Sequence, residues 1–272
     1  MLISTSSVKE EEAVMEMSVA PESLRESAPR NPIVSREEWL EARMRLLAME
    51  KEETHLRDKV RAERQAMPWV RVDKEYLFDT PDGRKSLAEL FGNRSQLIIY
   101  HFMMGPEWEA GCVGCSFLAD HVDGSLPHLN NHDVTWVAVS RAPLDRIEAY
   151  KKRMGWRFPW VSSFGSDFNF DFHVSFTPEE LAGETIRYNY RDLPREQGHD
   201  ELPGLSAFFK DEAGEVFHTY SSYARGGEEM IGTLMVLDRA PLGRNESATM
   251  HFVKRHDEYE DKPEAVASSC CH

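Results

Sequence analysis

Leu97-Ile98-Ile99-Tyr100-His101-Phe102 is an apolar run of strand length, and Cys112-Val113-Gly114-Cys115 follows it after a loop from Gly105 to Gly111. The residues beyond the second cysteine read as a helix. Two thiols three residues apart at the start of a helix can exchange a disulfide without moving the backbone. The same spacing is also half of a metal site, so the pair alone leaves both chemistries open.

A thiol in the first turn of a helix lies near unpaired amide N–H groups and the positive end of the helix dipole, and both favour thiolate. Cys112 is then the exposed nucleophile, and Cys115, one turn further in, resolves the mixed disulfide. This reading needs no cofactor. Its acceptor is a small-molecule or protein disulfide, or another oxidised small molecule. In the metal reading the two thiols and a histidine form a soft copper site, as a carrier or an oxidative enzyme. His101 and His121 are the nearest candidates, with His128, His132, His173, His199, His218 and the terminal Cys270-Cys271-His272 further off. None forms a second CxxC. A third reading is a binding module without catalysis, in which aromatic segments hold a small molecule and the thiols are idle.

The chain has 272 residues, 41% hydrophobic and 10% aromatic, which suits a globular protein with a substantial core. A net charge of −15 argues against nucleic-acid binding and against anionic membrane surfaces. Four cysteines do not make a disulfide-stapled secreted fold. The first residues lack a basic region leading into an apolar stretch, and the longest apolar run is too short to span a bilayer. The expectation is a cytoplasmic protein. No P-loop, GxGxxG, GxSxG or HExxH pattern occurs, so kinase, dinucleotide-binding and serine-hydrolase readings lack support.

Four segments are expected. Residues 1–34, acidic and rich in Ser, Glu and Pro, read as a disordered arm. Ser35 and Glu38 have the spacing of a capping box and open a long helix over 35–68, closed by Met67-Pro68. Trp39, Ala42, Leu46, Met49, Leu56 and Val60 form an apolar stripe along it, opposite a charged face. The first expectation is packing on the chain's own domain; the alternative is a homodimer through this helix. Residues 69–246 read as an α/β domain and 247–272 as a flexible tail.

Within 69–246, Trp69 to Val72 and Tyr76 to Phe78 read as short strands or a hairpin before the turn Thr80-Pro81-Asp82-Gly83. Ser86 to Phe91 reads as a helical turn or two. Residues 96–104 and 133–140 are buried strands, Ala142 to Met154 is a helix, and the alternation implies a βαβ unit with parallel strands. Residues 155–204, aromatic and Gly-rich, are expected to be irregular. There, Arg153 to Ser163 and Asp167 to Phe172 read either as an aromatic second core or as pocket walls. Leu205 to Lys210 and Glu215 to Tyr220 flank Asp211-Glu212-Ala213-Gly214 as a hairpin. Glu228 to Leu237 is a final helix.

Ordered stretches along the chain carry a family resemblance: Glu50-Lys51-Glu52, Leu87 to Phe91, Tyr100-His101-Phe102-Met103, Gly111-Cys112-Val113-Gly114-Cys115-Ser116-Phe117 and Val139-Ser140-Arg141-Ala142-Pro143. They continue with Arg153-Met154-Gly155-Trp156, Phe168-Asn169-Phe170-Asp171, His218-Thr219-Tyr220-Ser221, Tyr223-Ala224-Arg225-Gly226 and Pro241-Leu242-Gly243-Arg244. Together they resemble the domain-of-unknown-function 899 family, described as predicted dithiol–disulfide oxidoreductases of thioredoxin-like fold. The resemblance covers about residues 36–246. It implies a mixed sheet with helices on both sides, and it places Cys112 and Cys115 at the redox positions. Two features depart from thioredoxins. Where they carry a cis-proline facing the dithiol, this chain reads Leu202-Pro203-Gly204-Leu205. The loop before Cys112 is longer and holds Glu107 and Glu109, carboxylates that would oppose a thiolate if they pointed inward.

Overall fold

The structure, a computed structural model, describes residues 31–194 and 200–259. Most of the acidic arm, together with His199, Cys270, Cys271 and His272, lies outside the described residues. Helix α1 (Arg36–Ala66) starts where the capping box places it. The Ser35 hydroxyl accepts from the Glu38 N–H, and the Glu38 carboxylate accepts from the Ser35 N–H. Such a cap contributes about 1 kcal/mol. Packing of the apolar stripe on the chain's own domain is not observed, because no residue of α1 is buried. The side turned toward the domain is polar: Arg43, Glu50, Thr54 and Arg57 border an open cleft opposite Arg239 and Glu229. Arg64 lies over the Tyr220 ring.

The domain follows as β1 (Val70–Arg71), β2 (Leu77–Thr80), β3 (Gly83–Ser86), α2 (Leu87–Leu90), β4 (Gln96–His101), α3 (Val113–Ala119), α4 (Leu126–Asn131) and β5 (Val134–Ser140). Next come α5 (Leu144–Met154), β6 (Trp160–Ser162), α6 (Phe168–Asp171), α7 (Pro178–Ala182), β7 (Thr185–Tyr188) and β8 (Arg191–Pro194). The last elements are β9 (Gly204–Lys210), β10 (Val216–Tyr223), a 3-10 turn over Ala224–Met230 and α8 (Gly232–Leu237).

Eight strands form one sheet in the order β1-β10-β9-β4-β5-β6-β2-β3, and β7 and β8 pair separately. β4 pairs in parallel with β5, as Ile99 opposite Val137, and antiparallel with β9, as Ile99 opposite Ser206. β5 continues in parallel to β6, and β9 and β10 form the expected hairpin. A central strand flanked by a parallel crossover partner on one side and an antiparallel hairpin on the other is the thioredoxin-like arrangement. The turn at Thr80–Gly83 joins β2 to β3, while β1 pairs with β10 instead of β2.

Strand alternation divides the core in two. On one face Tyr100, Trp136, Ala138 and Trp160 pack with Phe102 against α3, α5 and α8. On the other, Leu97, Ile99, Val137, Val139 and Phe208 pack against α2, α6 and β7. Each fully buried large side chain contributes about 1.5–3 kcal/mol.

Three expectations change. In residues 155–204 the aromatic segments take the core reading and not the pocket wall, with Phe158 and Phe168 0% exposed and Trp160 1%. Phe158 and Trp160 belong to the first core cluster and Phe168 to the second, and the region holds short elements in place of an irregular stretch. The final helix is divided at Ile231 into the 3-10 turn and α8. Residues 247–259 are not a free tail. Val253 is buried in the first core cluster and Arg255 bonds to Gly111, contacts that local polarity cannot reveal.

Candidate active site at the dithiol

The dithiol sits at the C-terminal end of β4, the central strand. After Met104 the chain makes its loop and returns, with the Cys112 N–H donating to the Met103 carbonyl at 3.0 Å. Arg146 donates to the Pro106 carbonyl at 2.8 Å and ties the loop to α5. Cys112 then caps α3, and its carbonyl accepts from the Ser116 N–H at 2.9 Å and from the Ser116 hydroxyl at 2.8 Å. Gly111 leaves no room for a side chain. A Cβ there would lie 2.5 Å from the Phe102 ring and 2.9 Å from the Tyr150 ring.

Both described cysteines are free thiols, Cys112 half-buried and Cys115 buried. The Cys112 thiol is lowered to about 6, first by the hydrogen bond that Cys115 donates to it. Burial opposes this. The N–H groups of Cys115 and Gly114 and the charge of Arg255 add to the lowering. Cys115 moves the other way, well above its usual range. Burial is the main cause, and the hydrogen bond to the Cys112 thiolate and that thiolate's charge add to it. The Met103 N–H donates to the Cys115 sulfur at 3.5 Å, and Tyr100 interacts with it from β4. Two thiols in one turn are therefore driven apart, one toward thiolate and one held as a protonated donor.

Glu107 and Glu109, the carboxylates of the loop, point to solvent. The charge that acts on Cys112 is that of Arg255. Its guanidinium donates to the Gly111 carbonyl at 2.7 Å, the Tyr150 hydroxyl at 2.9 Å and Glu258 at 2.9 Å. The Tyr150 hydroxyl meets the Ser116 hydroxyl at 2.9 Å. Arg255 and Tyr100 are site residues that motif reading missed. Tyr100 was legible from the period of two along β4, but no local signal marks Arg255.

The structure does not bring the candidate histidines to the thiols. His101 alternates away from Tyr100 onto the opposite face of the sheet, where it stacks on Phe168 and Phe172. Its Nε2 meets the Ser206 hydroxyl at 2.8 Å, and burial lowers it to about 3. The Ser206 hydroxyl joins that of Ser221, which meets His218 Nε2 at 2.7 Å. His121 has both nitrogens engaged, Nδ1 with the Phe117 carbonyl and Nε2 with Thr233, each at 2.8 Å. Among the described residues no group of three or more His, Cys, Asp or Glu side chains converges to hold a metal. The donor set for a copper site at Cys112 and Cys115 with His101 or His121 is therefore not assembled.

A cavity of about 260 Å³ opens beside the dithiol. Cys112 and Cys115 form part of its wall, with Pro203 and Leu205 from the segment entering β9. Pro203 thus shares the cavity with the thiols, and no described peptide bond is cis. That segment is anchored by Glu201, which accepts from Arg141 Nε at 2.5 Å and from the Ser175 hydroxyl at 3.0 Å. Burial raises the Glu201 carboxyl to about 7 despite the guanidinium.

A thioredoxin-like sheet with a CxxC pair capping the helix after its central strand defines the class: a thioredoxin-fold protein with a paired dithiol. The sequence model of DUF899, described as bacterial protein of unknown function, matches residues 28–259, and the chain belongs to that family. No curated protein matches the chain significantly. Among solved structures it is similar to Xanthomonas campestris peroxiredoxin Q, at 14% identity and a TM-score of 0.38, over 59% of this chain and 89% of that one. It is also similar to the peroxidoxin BcpB of Mycobacterium tuberculosis, at 12% identity and a TM-score of 0.37, over 62% and 97% of the two chains. No helix among the described residues is long and apolar enough to cross a membrane.

Proposed function

We propose that the protein is a dithiol–disulfide oxidoreductase. The observation that carries this reading is the placement of two free thiols three residues apart at the start of α3, Cys112 half-buried and Cys115 buried, both on the wall of one cavity; the lowering of Cys112 to about 6 and the raising of Cys115 support it. At neutral pH Cys112 is chiefly thiolate, the form that attacks sulfur. It attacks one sulfur of a substrate disulfide, and the first substrate thiolate leaves. The mixed disulfide carries no charge at Cys112, so one cause of the raised Cys115 thiol disappears at the moment Cys115 must ionise. Cys115 loses its proton to the leaving thiolate and attacks Cys112, the second substrate thiolate departs, and two electrons have passed to the substrate. A low-molecular-weight thiol or a second dithiol restores the pair.

The test is a single turnover with the reduced protein and a model disulfide. The expected products are two thiols per protein and a Cys112–Cys115 disulfide found by mass spectrometry. Cys112→Ser abolishes the reaction, and Cys115→Ser stops it at a mixed disulfide on Cys112. Absence of the intramolecular disulfide in the unsubstituted protein would sink the proposal.

A further inference from the structure

We infer that the substrate class of this site is a small, uncharged, largely apolar disulfide whose substituent enters the cavity beside Cys112. This rests on the disulfide-exchange reading above. The cavity is walled by Tyr100, Leu118, Leu205, Tyr223, Ile231 and Met250, and Cys112 and Cys115 form part of its lining. A substituent carried by an attacked sulfur therefore meets an apolar wall.

Charge in the wall is already matched. Arg225 gives both arms to Glu228, at 2.7 and 3.1 Å, and Arg244 adds a third bond to Glu228 at 3.2 Å. Arg255, behind Cys112, is engaged by Gly111, Tyr150 and Glu258. An anionic peptide disulfide would bring carboxylates against apolar surface in a protein of net charge −15. An alkyl or aryl disulfide meets neither cost. The bonds balance as before: the substrate S–S bond breaks, the Cys112–Cys115 bond forms, and the Cys115 proton leaves on one of the two product thiols.

The experiment follows oxidation of the reduced full-length protein by dimethyl, diethyl and dibutyl disulfide and by glutathione disulfide. Each rate is divided by that of dithiothreitol with the same compound, to remove intrinsic reactivity. The expected result is a rate that rises with chain length and exceeds that of glutathione disulfide by about tenfold. Ile231→Trp, which fills the cavity, should abolish the rise with chain length. Equal or faster oxidation by glutathione disulfide, or rates independent of chain length in the unsubstituted protein, would overturn the substrate class and leave disulfide exchange standing. If no disulfide oxidises the pair although iodoacetamide alkylates Cys112, the exchange reading itself falls.

A separate observation carries a second proposal: α1 pairs antiparallel with α1 of a second copy. Trp39, Leu46, Met49, Leu56 and Val60 are 45–66% exposed along one side of a 31-residue helix, a row of large apolar side chains interrupted by Glu53. The helix is also electrically divided. Residues 36–53 carry six carboxylates and four cations, and residues 54–66 carry two and four. Antiparallel self-pairing sets each acidic half against a basic half, as a two-fold interface requires. Sedimentation should give about twice 31.3 kDa, and Leu46→Glu with Met49→Glu, both at exposed positions, should give the monomer. A monomer at every concentration would overturn the pairing, and one that binds no apolar dye would assign the face to the chain's own remaining residues. A dimer that survives the double substitution would overturn it as well.

Discussion

Arg255 donates from Nη2 to the carbonyl of Gly111 at 2.7 Å, so a side chain 144 residues further along holds the residue before Cys112. The same guanidinium supplies the positive charge that Cys112 feels. Arg255→Ala should move the Cys112 thiol upward and slow iodoacetamide alkylation at pH 6 by about threefold. Arg255→Lys keeps the charge without the fork and should restore part of the rate. An unchanged pH–rate profile in Arg255→Ala would show that the arginine does not act on the thiolate.

Alkylation of Cys112 in the unsubstituted protein should reach half its maximum near pH 6. Stability follows the same titration. The unfolded thiol ionises near 9 and the folded one near 6, so between them the unfolded chain holds a proton that the folded chain has released. This contribution is fully present above the unfolded value and is lost as pH falls through the folded one. Denaturant midpoints of the reduced protein should therefore rise between pH 6 and 8.5. Cys112→Ser should flatten that slope, and equal slopes would contradict the assignment.

Cys115→Ala and Cys115→Ser should differ. The largest lowering of the Cys112 thiol comes from the hydrogen bond donated by Cys115. Alanine removes the donor, and serine keeps one. The Cys112 inflection should move further up in the alanine variant, as thiolate absorbance would show.

Gly111→Ala should destabilise the fold by about 1–3 kcal/mol, because the added carbon meets two rings at the crowded end of the loop. Thermal denaturation measures this. A melting temperature equal to that of the unsubstituted protein would mean that Phe102 and Tyr150 yield freely.

Glu201→Ala should cost about 3 kcal/mol by leaving Arg141, 15% exposed, without its buried partner. Glu201→Gln retains an acceptor and should cost less. Because Glu201 lies two residues before Pro203, the alanine variant should also slow disulfide reduction by the intact dithiol, as single-turnover rates would show.

Much of the frame was legible locally. The capping spacing of Ser35 and Glu38, the apolar runs of β4 and β5 and the hairpin turn at Asp211 to Gly214 are short-range patterns, and each produced the element it implied. The stripe on α1 was legible as a stripe, but its direction was not. Periodicity says which residues share a face and is silent on what that face meets. His101 failed as a ligand for a reason also present in the sequence. It alternates with Tyr100 along a strand, so only one of them can face the helix that carries the thiols.

The sequence alone determined that two thiols share one turn after a buried strand, because helix and strand geometry act over three or four residues. Tertiary structure decided what those thiols are. Arg255, Tyr100 and Pro203 reach them from distant segments. Burial and charge act through space at short range, so the separation of the Cys112 and Cys115 pKa values exists only once the chain has folded.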